Sequence, residues 1–465
     1  MFSNRARELD LLERAYNSDR SEFLVVYGRR RSGKTALLHE FCKDKPHIYW
    51  TATLSSEALL LKDFTRAIWQ AAESRRTDPG FVYESWERAF EALAEYPNDA
   101  RRVIVIDEFP YLVGTNPGIS TILQKAWDEF LHRRNHVFIL CGSHIGMMEK
   151  EVLEYRAPLF GRRTGQLLLR PLPFHSSRDF FPKYSAEDQI RAFAVLGGVP
   201  AYLQQFDDRK SILDNIERHI LDRNSFLYLE PQFLLREELR APRNYFAILQ
   251  AIAHGRTKPN QIAQSIGETG SLVSRYLVVL QELHLVERRV PITEKRPEKS
   301  RKGTYRLSDP FLRFWFRFVA PNMHTLDVGD TRSVLKDVRS ELPQYIGLVF
   351  EDICRDWVRE QGALGELPFI PERVGAWWVR DQEIDVVAYR EDTALMGECK
   401  WIAAPVGLNI LEDLKRKAGR LTQDAGWKEI HLALFSRSGF TPELMGVARM
   451  GEVLLVGSEE LLAYD

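Results

Sequence analysis

Four short apolar runs punctuate an otherwise amphipathic first third of the chain. Phe23 to Tyr27, His47 to Thr53, Val103 to Ile106 and His136 to Cys141 are dense in β-branched and aromatic residues. Such runs predict strands buried on both faces, as in a parallel sheet. Between them the pattern turns helical: from Asn4, Arg5 and Glu8 to near Asn17, from Ala36 to Phe41, through Gln70, and from Glu84 to Tyr96. Alternating strand and helix predicts an α/β domain from Met1 to Phe174.

The pattern then changes. His175 to Arg240 reads as mostly helical, broken at Leu196-Gly197-Gly198-Val199-Pro200. From Ala241 to Leu307 come three short helices: Arg243 to His254, Pro259 to Ile266 capped by Thr257, and Thr269 to Leu283. The third has Leu272, Tyr276, Val279, Leu280 and Leu283 on one face. Val286 to Ile292 is extended, Glu294 to Gly303 is a basic hairpin tip, and Thr304 to Leu307 returns. Three helices followed by a hairpin is the winged helix-turn-helix order. From Ser308 to Asp465 an aromatic run, Asp309 to Val319, reads as a packing helix rather than a base-stacking platform. A helix from Gly347 to Glu360 is followed by strands at Val374 to Val379, Glu383 onward, and Ala394 to Trp401.

Candidate chemistry falls at the ends of these elements. The first strand runs into Gly28-Arg29-Arg30-Arg31-Ser32-Gly33-Lys34-Thr35, which fits G-x-x-x-x-G-K-[ST] at every fixed position. The two glycines allow a tight turn whose N–H groups face an anion, and the next helix adds positive potential. Lys34 is expected on the β- and γ-phosphates of ATP and Thr35 on Mg²⁺. Asp107 and Glu108 close the third strand, the sheet edge where ligands sit. Asp107 suits the Mg²⁺ shell and Glu108 the polarising of a water. Ser143 ends the fourth strand, either as a phosphate sensor or as a turn residue. Arg156, Arg162 and Arg163 offer a guanidinium to developing phosphate charge, or belong to an ordinary surface loop.

In the middle region the third helix exposes Ser271, Ser274 and Arg275 to a DNA major groove. Lys295, Arg296, Lys299, Arg301 and Lys302 of the wing neutralise phosphates in this reading, or are simply solvated. In the last region Asp385 and Glu398-x-Lys400 lie on adjacent strands, with Glu351 on the preceding helix. Residues two apart on a strand share a face, so Glu398 and Lys400 point the same way. The spacing suits metal-dependent phosphodiester cleavage. Asp385, Glu398 and the Cys399 carbonyl are hard ligands for Mg²⁺ or Mn²⁺. Lys400 positions the attacking water, and Glu351 orients a further water or takes a proton. Lys415 and Lys417 face DNA or solvent.

Composition trims this picture. The net charge of −1 excludes a uniformly basic surface, so contact with nucleic acid must be local. Cys42, Cys141, Cys354 and Cys399 lack zinc-site or disulfide-framework spacing, which favours a reducing cytoplasm. No signal peptide and no membrane span is expected.

The runs VYGRRRSGKTALL, VIVIDEFPYL, FILCGSHIGMMEK, APLFGRRTGQLLLRPLPF and LGGVPAYL, with Asn4-Arg5-x-x-Glu8-Leu9, resemble the archaeal-type ATPases of the STAND group of AAA-like P-loop NTPases. The resemblance implies a five-stranded parallel sheet with the Asp107 strand beside the phosphate-loop strand, a helical lid over 175–240, and a nucleotide-driven switch. It favours Arg162 as the arginine finger, with Arg163 as fallback, and implies an ATP-dependent homo-oligomer with an arginine supplied across subunits. The C-terminal region resembles the PD-(D/E)XK nuclease-like domain that many such ATPases carry, although Asp385 follows Glu383-Ile384 rather than a proline. The expected whole is an ATP-controlled protein that binds and cleaves double-stranded DNA. The alternative is an ATP-gated DNA-binding regulator, or a signalling or defence scaffold with an inactive nuclease-like domain.

Overall fold

The computed structural model describes residues 4–71, 80–95, 100–239 and 241–462; Tyr96, the expected end of one helix, lies outside them. The chain divides into two units, Met1–Leu172 with Val199–Ala201, and Pro173–Gly198 with Tyr202–Asp465.

In the first unit, strands β1 (Glu22–Tyr27), β2 (His47–Thr51), β3 (Arg102–Asp107), β4 (His136–Gly142) and β5 (Gly165–Leu168) form one sheet in the order β2-β3-β4-β1-β5. Every pairing is parallel. β1 and β4 are buried at every position, as two-sided coverage requires. Leu24, Val26, Val105 and Ile139 pack toward helix α2 (Lys34–Cys42) and Leu12 of helix α1 (Ala6–Tyr16). Phe23, Val25, Ile104 and Phe138 face the opposite layer, built from helices α3 (Glu57–Gln70), α4 (Trp86–Ala94), α5 (Phe109–Thr115) and α6 (Ile119–Glu129).

The order corrects one expectation. The Asp107 strand is not beside β1, because β4 lies between them. β4 is buried at all seven positions and takes the centre, where most surface is buried. Two strand spacings of about 4.8 Å separate the two motifs, and side chains at the sheet edge bridge that gap. The lid segment expected at 175–240 belongs to the second unit except for Val199–Ala201. Pro200 Cγ would lie 3.9 Å from a Cβ placed on Gly33.

In the second unit, helices Pro242–Ala253, Pro259–Ile266 and Gly270–Glu282 precede an antiparallel hairpin, β6 (Val286–Arg289) with β7 (Thr304–Leu307). The middle helix is capped by Lys258, whose N–H donates to Gln261 Oε1. The expected Thr257 instead accepts from Tyr305 N at 2.7 Å. Its carbonyl thus ties the helices to β7. The third helix buries Val273, Leu277 and Leu280, a stripe rotated by about one position from the expected one.

The aromatic run forms a buried helix, Pro310–Phe314, continuing as a π turn over Trp315–Val319. Asp309 caps it, accepting from Phe311 N at 2.7 Å. A 34-residue helix, Thr331–Leu364, absorbs the expected Gly347 to Glu360 segment. Strands β8 (Arg373–Val379), β9 (Gln382–Arg390), β10 (Thr393–Lys400), β11 (Glu429–Ser436) and β12 (Leu454–Gly457) make a second, mixed sheet in sequential order. β8, β9 and β10 run antiparallel; β10, β11 and β12 run parallel. Helix Leu408–Ala425 makes the crossover from β10 to β11.

Candidate nucleotide and acid sites

The sequence G-R-R-R-S-G-K-T folds as a loop between the end of β1 and the start of α2. Gly28 has φ 151°, and a Cβ there would meet Leu169 O at 2.4 Å, so only glycine fits. Gly33 has φ 93° and opens α2. Arg29, Ser32 and Lys34 are buried. Lys34 Nζ donates to Gly28 O at 2.7 Å and Arg29 O at 2.9 Å, so its ammonium lies over the loop. Arg30 reaches Tyr111 Oη, and Arg31, with φ 66°, is exposed.

Thr35 Oγ1 donates to Asp107 Oδ2 at 3.0 Å, joining loop to β3 across β4. Asp107 Oδ2 also accepts from Tyr49 Oη at 2.8 Å, and Oδ1 from Glu108 N at 2.9 Å. Burial, then the Asp107 charge, pushes the Tyr49 phenol up, so it remains a donor. Glu108 sits in the left-handed region at φ 53°, ψ 42°. It accepts from Ser143 Oγ at 2.8 Å and Ser143 N at 3.3 Å. Thr35 and Asp107 are the oxygen pair that could hold a divalent cation beside a nucleotide.

Sequence reasoning missed Tyr49, which reads as core within an apolar strand. It also gave Arg5 no role. Buried Arg5 donates to Ser32 O at 3.1 Å and Arg170 O at 2.8 Å, and pairs with Glu8 at 2.7 Å. The N-R-x-x-E signal thus fixes the phosphate loop from behind.

Arg162 does not join this group. It precedes Thr164, whose N–H bonds Phe23 O at the start of β1. The phosphate loop leaves the other end of that six-residue strand. Arg162 is held instead by Asp128, Nη2 to Oδ2 at 2.9 Å and Nε to Oδ1 at 3.2 Å. Its guanidinium is thus engaged away from its own chain's phosphate loop. Arg163 donates to Val152 O and Leu153 O.

In the second unit Arg275, Lys295, Arg296, Lys299, Arg301 and Lys302 are all exposed, as are Ser271 and Ser274. Lys302 pairs with Glu294 at 2.7 Å. Arg288 stitches the hairpin tip, donating to Pro297 O and Ser300 O.

Asp385, Glu398, Lys400 and Glu351 are brought together. Between β8 and β9 the register slips: Gly375 opposes Val387 but Trp377 opposes Ile384. The extra residue in β9 falls at Asp385-Val386 and re-aims the acid. Asp385 Oδ2 accepts from Cys399 N at 2.8 Å, and its carboxyl is pushed up to about 7 by burial, then by Glu351 and Glu398. Burial also raises Glu351 and Glu383. Glu398 lies between two ammonium groups, Lys400 at 2.7 Å and Lys417 at 3.2 Å. Lys415 pairs elsewhere, with Glu452 at 3.0 Å. Arg355 donates to Asp385 O and faces Glu351 at 3.5 Å. Among the described residues no three His, Cys, Asp or Glu are arranged to hold a metal ion. Two carboxylates and a carbonyl remain as a donor set.

A parallel sheet whose strand ends carry a glycine loop, a buried lysine and a Thr–Asp hydrogen bond defines an ATP-binding P-loop ATPase domain. Residues 2–206 match the model of an ATPase domain predominantly from Archaea. Residues 315–414 match a domain described as "Archaea bacterial proteins of unknown function". The chain is 35% identical over 405 residues to an uncharacterized protein of Methanocaldococcus jannaschii, covering 86% of this chain and 88% of that one. The chain belongs to this archaeal ATPase family. An uncharacterized ATP-binding protein of Pyrococcus abyssi is 26% identical over 46% of this chain and 71% of its own. A Walker-type ATPase of Pyrococcus abyssi has the same fold, with a TM-score of 0.51 at 20% identity, over 68% of this chain and 96% of that one. Among the described residues no helix is long and apolar enough to cross a membrane.

Proposed function

We propose an ATP-hydrolysing switch whose second unit holds double-stranded DNA through a winged helix and cleaves it at the C-terminal acid cluster. The convergence of Glu351, Asp385 and Glu398 with Lys400 beside the β9 bulge carries the nuclease half. In the ATPase half, Lys34 and the α2 N-terminus bind the β- and γ-phosphates. Thr35 and Asp107 hold Mg²⁺, which would neutralise phosphate charge. Glu108, kept in place by Ser143, takes the proton of the attacking water. In the rear site Asp385, Glu398 and the Cys399 carbonyl hold Mg²⁺ or Mn²⁺, which would polarise the phosphodiester. Their mutual repulsion in a buried setting favours a cation there. Lys400 orients the nucleophile, and Glu351 accepts its proton. Arg162, remote from its own loop, suits a nucleotide bound by a second copy in an ATP-dependent oligomer. Four free, buried cysteines suit a cytoplasmic protein.

A second reading is an ATP-gated DNA-binding regulator or signalling scaffold with a silent rear domain. What favours it is that both Glu398 oxygens face lysines. Plasmid nicking and ATP turnover measured on one set of proteins separate the two. Lys34→Ala is expected to lose ATP hydrolysis by at least about a hundredfold. Lys400→Ala is expected to keep hydrolysis and lose nicking. If wild-type protein with Mg²⁺ or Mn²⁺ leaves every DNA form intact, the regulator reading stands.

A further inference from the structure

Asp107 is held by more donors than the phosphate loop itself supplies. It is 2% exposed at the end of β3. Oδ1 accepts from the Glu108 backbone, while Oδ2 accepts from both Thr35 and Tyr49. Tyr49 lies on β2 opposite Val105, two positions short of Asp107, so its ring runs along the strand toward the sheet edge. On α2, Thr35 and His39 are one turn apart and share a face. His39 stacks on Tyr49, ring centroids 4.3 Å apart and planes within 16°. The contacts close a ring: Thr35 to Asp107, Asp107 to Tyr49, Tyr49 to His39, and His39 back along the helix to Thr35.

We propose that Tyr49 is a positioning residue of the ATPase site: its O–H, steadied by His39, holds the Asp107 carboxylate in the orientation that shares an oxygen with Thr35. Without the Tyr49 hydroxyl the carboxylate keeps the Glu108 amide on Oδ1 and on Oδ2 only Thr35, the group that would itself turn to the cation, and it can swing about its Cα–Cβ bond. The second donor on Oδ2 removes that freedom before a cation arrives, which lowers the ordering cost of coordination. The inference rests on the reading that Thr35 and Asp107 hold the cation. It adds a strand, β2, to the elements that set cation affinity.

The test is calorimetric titration of Mn²⁺ into the full chain with and without a non-hydrolysable ATP analogue, taking the nucleotide-dependent component. Tyr49→Phe keeps the ring and removes the donor. Its nucleotide-dependent Mn²⁺ dissociation constant is expected to rise about three- to tenfold, while affinity for the metal-free nucleotide stays within about twofold of wild type. His39→Ala, at an exposed position, is expected to shift the constant in the same direction by a smaller factor; it decides the matter should Tyr49→Phe fail to fold. Mn²⁺ curves that superpose on wild type for both variants overturn the role of Tyr49. A wild-type protein with no nucleotide-dependent Mn²⁺ component overturns the cation reading itself, and the inference with it.

Discussion

Glu108 adopts φ 53° where glutamate rarely goes. Such backbone costs on the order of 1–3 kcal/mol and persists only where neighbours over-determine it. Here Ser143 binds its carboxylate and Phe109 behind it is fully buried. His136, at the start of β4, is a second strained choice of a different kind. It is 1% exposed, and its Nε2–H donates to Leu93 O, 3.1 Å away. Burial holds its pKa below the ordinary value, and Arg102 and Arg134 push the same way. The folded imidazole therefore stays neutral while the unfolded one protonates below about pH 6.5. Stability is present above that pH and falls as pH drops toward the folded value, by up to about 1.4 kcal/mol per pH unit. His136→Gln is expected to flatten urea-midpoint stability between about pH 7 and 5; a slope equal to wild type would count against His136. Lys34 and Thr35 were legible as a phosphate-loop pair because their spacing has few other meanings, while Asp107 and Glu108, a common pairing at a strand end, drew their reading from that loop. Tyr49 was not, because a tyrosine in an apolar strand is ordinary core and only the fold shows which carboxylate its hydroxyl meets.

Between elements of the second unit, one carboxylate gathers several partners: Asp352. One carboxylate of the long helix meets Arg289 of β6 at 2.7 Å, Arg306 of β7 at 3.0 Å, Arg355 at 2.7 Å and Arg313 at 3.7 Å. Burial alone would raise Asp352, yet the four guanidinium groups hold it well below the usual carboxylate range. Asp352→Asn leaves those cations without their shared anion and is expected to cost about 3–5 kcal/mol, read as a lowered denaturant midpoint of the second unit. An unchanged midpoint would mean the arginines find other partners. None of this was visible in the sequence, where Asp352 is one more acid in a helix of mixed charge. The strands were more legible: β3 and β4 fall within a residue or so of their apolar runs, which are too short for buried helices. The helices were less so. In Gly270–Glu282 the buried stripe is rotated, and Tyr276 meets Tyr245 edge to face, centroids 4.6 Å apart. The β9 bulge left no trace in the periodicity, although it is what brings Asp385 round to Cys399.

At the scale of the whole molecule, a net charge of −1 means that any polyanion must be met locally. Lys295, Arg296, Lys299 and Arg301 are exposed on one hairpin tip. Replacing these four with glutamine is expected to reduce the slope of log affinity on log salt for duplex DNA by about 3–4, near 0.9 for each phosphate no longer neutralised. A slope that does not change rejects the hairpin as the phosphate binder. The same hairpin is not a free appendage. Ile292, just beyond β6, gives its amide to Ala376 O at 2.9 Å and its side chain to the core of the rear sheet. Leu307 and Ser308 therefore mark no seam along which the chain could be parted. A fragment beginning there would lack the isoleucine that plugs its own first strand, and two of the guanidinium groups its long helix was built around. The hairpin is joined to β8 through that amide, so in the function proposed above the part that grips a nucleic acid and the part that cuts it share one piece of backbone scaffolding.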